Sequence, residues 1–439
     1  MNEASGGYGG VVETLAAGRW RHPRSGEVVK VPIERIVIDR TLDGREAELV
    51  APLLSGKRLL VVCDQYTRAA LGARVLAALR SLGTVDELVW DRPRASVEGV
   101  EELRHLTRHA EALVAVGSGT INDSVKYATF LDGKSYCVFP TSAMNAYTAP
   151  TASIAEAGLK KSISAHTARG VFYDLEVISG CPPRLISAAF ADVLCRTTSQ
   201  VDWLMADKLF GTGYDDTPYA LLAYDEARLI DNAAALPGGA IEPLAVLTRV
   251  CALMGIATCV TGSTHFGSMA EHMISHSIDM FSGDGHPGSS HGEQVGVTTL
   301  TVSALQNRIL GADRPPVLRP TLCSEADLAA HYGESMAATM AAQTAAKAID
   351  GVTAERINRL WEEDWSGFVA PLRAAMLPLQ RLRRGLTEAK APRTAEELGL
   401  DVGLYQRIVR DARFTRDRFS ILDVAGDAGL LDDFSQSCH

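Results

Sequence analysis

The sequence predicts two domains of different class in series, a doubly wound α/β domain followed by an all-α domain. From Val31 to about residue 178, short apolar runs alternate with helix-like segments, the signature of a parallel sheet covered by helices. Beyond the double proline Pro182-Pro183 the strand signals fade and helical segments take over. The 439 residues are enough for two separate cores.

Taken in order, residues 1–25 are Gly-rich and read as a flexible lead-in. The α/β domain is assigned to 26–178. It holds VPIERIVI from Val31, RLLVVCD (58–64), the helix-like TRAALGARVLAALRSLG, DELVW, the helix-like EGVEELRHLTRH, ALVAVGSGT (112–120), SYCVFPTSAM and GVFYDLEVIS. The all-α domain is assigned to 179–439. Pro182-Pro183 opens one long helix, RLISAAFADVLCRTTSQVDWLMADKLF, and later helical segments include MAATMAAQTAAKAID and a stretch broken by proline around Pro371 and Pro378.

Composition narrows the function classes. An apolar share of 46% against 22% charged is that of a soluble globular chain. A net charge of -10 with no basic stripe argues against a nucleic-acid partner, since phosphate backbones are gripped by clustered Lys and Arg. Eight cysteines, with no C-x-x-C pair, read as reduced core residues of a cytoplasmic protein. The N-terminus lacks a basic start with a long apolar core, and no run approaches the roughly 18 apolar residues of a membrane span, so neither export nor membrane insertion is predicted.

The stretch from Gly262 to Gln294 holds five of the eleven histidines: His265, His272, His276, His286 and His291. Ser268-Met-Ala-Glu271 has the form of a capping box, which places His272 early in a helix and His276 four residues on, on the same face. His291 returns beyond the loop SGDGHPGSS. Imidazoles so placed could surround a divalent metal, although the zinc-peptidase pattern is absent because Met273 follows His272. Asp192 lies among Ala, Phe, Val and Leu in a predicted helix, where a carboxylate needs a cation or donors. With His272 and His291 it would give one carboxylate and two imidazoles with open positions, the donor set of a catalytic metal that acts as a Lewis acid.

In AVGSGTINDSVKY (115–127), Gly117 and Gly119 follow a predicted strand and open a predicted helix, so backbone N–H groups could cradle a pyrophosphate. An ordinary glycine turn fits equally, as the third glycine of the dinucleotide fingerprint is missing. Asp64, at the end of RLLVVCD, stands where a ribose acceptor would be useful or where a plain cap would be. PTSAMNAYTAPTASI (140–154) reads as a ligand-lining loop in which Asn145 could bond substrate or nicotinamide, or simply make a turn.

Together GSGTINDSVKY, PTSAMNAYTAPTASI, AAFADVLCRTTSQVDW, AEHMISHSIDM and HGEQVGV closely resemble, in order, the glycerol-1-phosphate dehydrogenase family. That family lies within the group of glycerol dehydrogenase, iron-containing alcohol dehydrogenases and dehydroquinate synthase. The closing RDARFTRDRFSILDVAGDAG resembles the C-terminal segment of bacterial AraM-type members. The resemblance implies a dehydroquinate synthase-like fold: a Rossmann-like nucleotide-binding domain, then a helical metal-carrying domain, with the active site in the cleft between.

It implies that Gly117, Ser118, Gly119 and Asp123 line an NAD(H) or NADP(H) site, with Thr141 and Asp64 as further candidates; the Asp64 charge leans towards NADH. Asp192, His272 and His291 become the ligands of one divalent metal, zinc first, nickel or iron also suited. His276 becomes a residue near substrate that relays a proton, and Asn145 joins it at the reacting end. The reaction implied is interconversion of dihydroxyacetone phosphate and sn-glycerol 1-phosphate, by a homodimer.

Two positions depart from the family pattern: Asn145 stands where Asp is usual, and His265 stands where the family usually has Arg. Imidazole lacks the fixed fork with which guanidinium holds a phosphate. Two other readings remain, a dehydroquinate-synthase-like cyclase, for which Lys126, Lys160, Lys161 and Arg196 are the candidate cations, and a ligand-sensing relative without activity.

Overall fold

The computed structural model describes residues 8–156 and 159–439. Six parallel strands, β1 (Arg35–Asp39), β2 (Leu59–Cys63), β3 (Val85–Val89), β4 (Ala112–Gly117), β5 (Ser135–Pro140) and β8 (Gly170–Asp174), form one sheet in the order β1-β8-β5-β4-β2-β3. The runs LLVVC, ALVAVG and GVFYD are buried at every position because helices cover both faces of a parallel sheet, and they are apolar but for Tyr173 and Asp174 at the end of the last. Leu49, Val50, Val61, Val75, Val114, Phe139 and Phe172 form one such core. From β2 the chain steps outward to β3 and then returns past β2 to β4. The order therefore reverses between β2 and β4, and a crevice opens there beyond the carboxyl ends of the strands.

The polypeptide divides into two compact units, 1–189 with 216–263 and 190–215 with 264–439, and not at residue 178 as the sequence suggested. Two helices assigned to the all-α part, Thr217–Asp231 and Ile241–Thr261, belong with the sheet. The second is largely apolar and mostly buried, and its Arg249 pairs with Asp225 at 2.7 Å. Glu242 and Arg249 interrupt it in sequence, which is why no continuous apolar run was seen. It packs on the Asn145–Tyr147 turn and the Leu175–Ser179 helix. Gly255 is required there, since a Cβ would meet Thr148 Oγ1 at 2.1 Å and the Asn145 carbonyl at 2.3 Å.

Several local expectations change. Residues 1–7 of the expected lead-in lie outside the described residues, but Val11–Ala16 is a helix that buries Val12 and Leu15. Thr151–Glu156 (β6) pairs antiparallel with Leu159–Ser164 (β7), so only the first part of the expected ligand loop is loop. The long helix after Pro182 breaks at Leu194-Cys195 into Pro183–Val193 and Arg196–Phe210. There the backbone tightens into three-residue turns, Cys195 N to the Asp192 carbonyl (3.2 Å) and Thr197 N to the Leu194 carbonyl (3.3 Å), and Thr198 Oγ1 and Ser199 Oγ add to the Cys195 carbonyl at 3.0 and 2.6 Å. Pro371 sits within the Gly351–Ala375 helix, which instead breaks at Asp364 (φ -154°, ψ 72°), whose Oδ1 accepts from Gly367 N.

The second unit is helical among its described residues. Its core gathers Met205, Ile274, Val297, Ile357, Trp361, Val369, Tyr405 and Leu422 from helices along the whole unit. At its centre Asp202, fully buried, accepts from Gln306 Nε2 (2.9 Å), Ile421 N (3.2 Å) and Ala270 N (3.4 Å). One carboxylate thereby ties the start of the Ala270–Phe281 helix to the Ile421–Asp427 helix near the C-terminus.

Candidate functional site

In the helical unit, His272 and His276 lie on one face of the Ala270–Phe281 helix, and His291 is the first residue of the His291–Leu310 helix. The three rings are mutual neighbours, with centroids 5.1 to 6.0 Å apart. The capping box expected at Ser268 is not formed. Met269 is the N-cap, and the box sits instead at Ser290 and Glu293, immediately before His291. It fixes where that helix starts, and so where His291 points.

Asp192, the penultimate residue of its helix, brings Oδ1 within 4.0 Å of His272 Nε2 and 3.8 Å of His291 Nε2. The three donor atoms lie within 4.8 Å of one another. Separations of this size admit one ion about 2 Å from each donor. The far nitrogens are also arranged as a metal requires. His272 Nδ1 is 3.0 Å from Glu271 Oε1; a carboxylate only accepts, so the proton is on Nδ1 and the Nε2 lone pair faces Asp192. His291 Nδ1 lies 3.4 Å from Ser275 Oγ, whose own proton goes to Gln294 Oε1 (3.0 Å), leaving a lone pair to accept. The donor set therefore fits a divalent metal. His272 is 8% exposed and His291 32%, so His291 is the more open of the two imidazoles.

Glu271, read from the sequence only as a cap, is the residue that orients His272. It is fully buried, with Oε1 accepting from Met269 N (2.7 Å) and Oε2 2.9 Å from Thr198 Oγ1. Burial pushes its carboxyl up, but His272 and the Met269 N–H outweigh this and hold it below the usual range. A Glu directly preceding a candidate metal histidine is the signal the sequence carries. His286 serves the loop: Nε2 donates to Asp279 Oδ1 (3.0 Å) and Nδ1 accepts from Gly288 N. His265 stacks at 5.8 Å on Trp203, and burial first, then the Arg418 charge, push it down to about 4.

In the α/β unit, Asp64, Gly117, Ser118, Gly119 and Thr141 stand at the carboxyl ends of the neighbouring strands β2, β4 and β5. Ser118 is the N-cap of the Gly119–Leu131 helix but makes no side-chain cap bond, so the first amides of that helix are open to an anion. Gly117 is required by close packing, because a Cβ would lie 2.7 Å from Ile121 Cβ. Thr141 N bonds the Gly117 carbonyl at 3.2 Å, fixing the loop after β5 against the turn. Asp64 Oδ1 accepts from Tyr66 N (2.9 Å) and Thr67 N (2.8 Å), making it a helix cap; Oδ2 takes no hydrogen bond among the described residues.

Asp123 faces inward. Oδ2 accepts from Ser153 N (3.0 Å) and Oδ1 lies 3.5 Å from the buried Lys126 ammonium, which also donates to the Ala146 and Thr151 carbonyls. Asn145 starts the short turn Asn145–Tyr147, its carbonyl accepting from Thr148 N at 3.3 Å. Of the cations expected for a cyclase, Lys126 is tied up in this way. Lys161 pairs with Glu156, Arg196 bonds Gln200, and the Lys160 side chain lies outside the described residues.

Residues 37–182 match the family model for iron-containing alcohol dehydrogenase. The chain is 30% identical over 256 residues to a glycerol-1-phosphate dehydrogenase [NAD(P)+] of Methanothrix thermoacetophila, covering 57% of this chain and 71% of that protein. It is 26% identical over 397 residues to the enzyme of that name from Natronomonas pharaonis, covering 90% and 93%. In fold it is similar to a probable glycerol dehydrogenase from Sinorhizobium meliloti, with a TM-score of 0.60, 18% identity and coverage of 92% and 98%.

Proposed function

This chain belongs to the glycerol-1-phosphate dehydrogenase family, and from that premise we propose that it interconverts dihydroxyacetone phosphate and sn-glycerol 1-phosphate with NAD(P)(H) and a divalent metal. The observation that carries the reading is the Asp192–His272–His291 donor set with Glu271 orienting His272. When bound, the metal polarises the substrate oxygen and the nicotinamide exchanges the hydride. Asp192, His272 and His291 hold the metal, and zinc is the ion we assign to two imidazoles and a carboxylate.

His276, one turn beyond His272, handles the proton. Arg416 Nη2 lies 3.4 Å from its Nδ1, and a guanidinium can only donate. Nδ1 is thus an acceptor and Nε2 carries a proton, which can pass to the reduced oxygen as a proton from solvent is taken up at Nδ1, so that the ring ends neutral. Gly117, Ser118 and Gly119 present backbone amides to the pyrophosphate, Thr141 and Asn145 line the same side, and Asp64 offers Oδ2 to the ribose. That carboxylate would repel a 2′-phosphate, so NADH is the proposed partner. Asp123 acts through Lys126 and Ser153, holding the loop in place.

No disulfide joins the cysteines among the described residues, which supports the cytoplasm, and a homodimer is the assembly we assign. Chelator-stripped protein should oxidise NADH with dihydroxyacetone phosphate only after Zn, Ni or Fe is restored. Absence of metal-dependent NADH consumption with every ketose phosphate tried overturns the reading, and turnover without net NADH consumption would point to the cyclase.

A further inference from the structure

Position 265 carries imidazole, yet the stretch around it is not short of guanidinium. Arg416 and Arg418, from the segment after the Val402–Asp411 helix, reach back to it. Arg418 donates to the Ser268 carbonyl (2.6 Å) and Thr264 Oγ1 (2.8 Å); Arg416 donates to Ser268 Oγ (3.1 Å) and His276 Nδ1 (3.4 Å). Both guanidinium groups bond Ser268, Arg416 at its Oγ and Arg418 at its carbonyl, so the two side chains reach the same place. The tie between Asp202 and Ile421 N fixes this segment against the histidine helix.

Neither guanidinium has a carboxylate within ion-pair distance among the described residues. Arg413, three residues earlier, shows the contrast: it is bonded to Asp427 and lies 3.5 Å from Asp423. Asp417, between the two arginines, is exposed and pairs with neither, and Glu271 is committed to His272, Thr198 and Met269 N. Two partly buried cations side by side, each bonded only to neutral acceptors, are costly unless an anion joins them. Burial, the larger cause, pushes both guanidinium groups down, and for Arg418 the Arg416 charge adds to it.

We propose that Arg416 and Arg418 hold the phosphate group of the substrate, with His276 between that phosphate and the metal ligands. This rests on the reading above that the substrate is a phosphorylated ketone or polyol. Two guanidinium forks would take the place of the single Arg usual at position 265, and the phosphate would be fixed one ring away from the reacting oxygen.

The test compares Arg416→Gln and Arg418→Gln with the parent, all metal-loaded, on dihydroxyacetone phosphate and on unphosphorylated dihydroxyacetone. Inorganic phosphate binding is followed separately by calorimetry. Each Gln variant should raise KM for dihydroxyacetone phosphate by about 30- to 100-fold, the scale of a hydrogen bond to a charged group. For Arg418→Gln, which does not touch His276, KM for dihydroxyacetone should move by no more than about twofold. Phosphate binding by the parent should be lost in both, and Arg418→Lys should recover part of it. Equal losses on both ketones in Arg418→Gln, or phosphate binding unchanged in the Gln variants, overturns the assignment. Turnover of dihydroxyacetone phosphate with unaltered KM in the variants overturns it while leaving the reaction standing. A parent that turns over no ketose phosphate but binds phosphate through these arginines removes the reaction and keeps the anion site.

Discussion

The two halves of the candidate machinery are built from different materials. At the carboxyl ends of β2, β4 and β5 the binding groups are mostly backbone: open amides before a helix, a glycine that admits no Cβ, and a carbonyl that pins the next loop. In the helical unit they are side chains, Asp192, Glu271, His272, His291, Arg416 and Arg418, from segments more than two hundred residues apart in the chain. A backbone site is positioned by the secondary structure that ends there. A side-chain site depends on tertiary packing to deliver each group, here through Asp202 and the Ser290–Glu293 cap.

If that distinction holds, substitutions in the helical unit should act on chemistry with little effect on nucleotide. The largest effect is expected for Asp192→Ala, which removes a metal ligand. Activity should fall about a thousandfold, the several kcal/mol that a Lewis acid supplies, with bound metal lost by elemental analysis and nucleotide affinity kept. Next comes Glu271→Gln, which keeps the shape but turns a charged acceptor for His272 Nδ1 into a neutral one. Metal affinity should drop about 10- to 100-fold, read by competition with a chelating dye; unchanged affinity would mean His272 is oriented by something else.

On the other side of the comparison, Asp64→Asn preserves an oxygen that can cap the Gln65–Thr67 turn while removing the charge. The NADH over NADPH ratio of kcat/KM should fall about tenfold, with metal content unchanged. The smallest effect concerns His265. Its folded pKa, about 4, lies below the unfolded value, so the folded state binds fewer protons and the stability it contributes is present above the unfolded value of 6.5. That contribution should be lost as pH falls from 6.5 towards 4, by roughly 1–2 kcal/mol after allowing for partial exposure. In His265→Phe, which retains a ring against Trp203, urea midpoints over that range should fall less steeply with pH.

Much of this was legible from residues alone because it is local. Alternating apolar runs specify a parallel sheet, Gly117 and Gly119 mark a turn into a helix, and the four-residue spacing of His272 and His276 places them on one face. The chain itself thus determined the two structural classes, the turn from β4 into the helix at Gly117–Gly119 and the identity of the histidine cluster. The Ile241–Thr261 helix could not be assigned to its unit, because a largely apolar helix is compatible with any core and only contact with the Asn145–Tyr147 turn selects one.

Tertiary structure alone decided the roles of Glu271, Asp123 and Arg416. A carboxylate's function depends on which donor it meets. Glu271 found an imidazole and Asp123 a buried ammonium, though each sits in an ordinary-looking helix. Arg413 and Arg416 are three residues apart in one charged segment. Packing gave the first two carboxylates and the second only neutral acceptors, and charge balance in a partly buried place is a property of neighbours that no local pattern encodes.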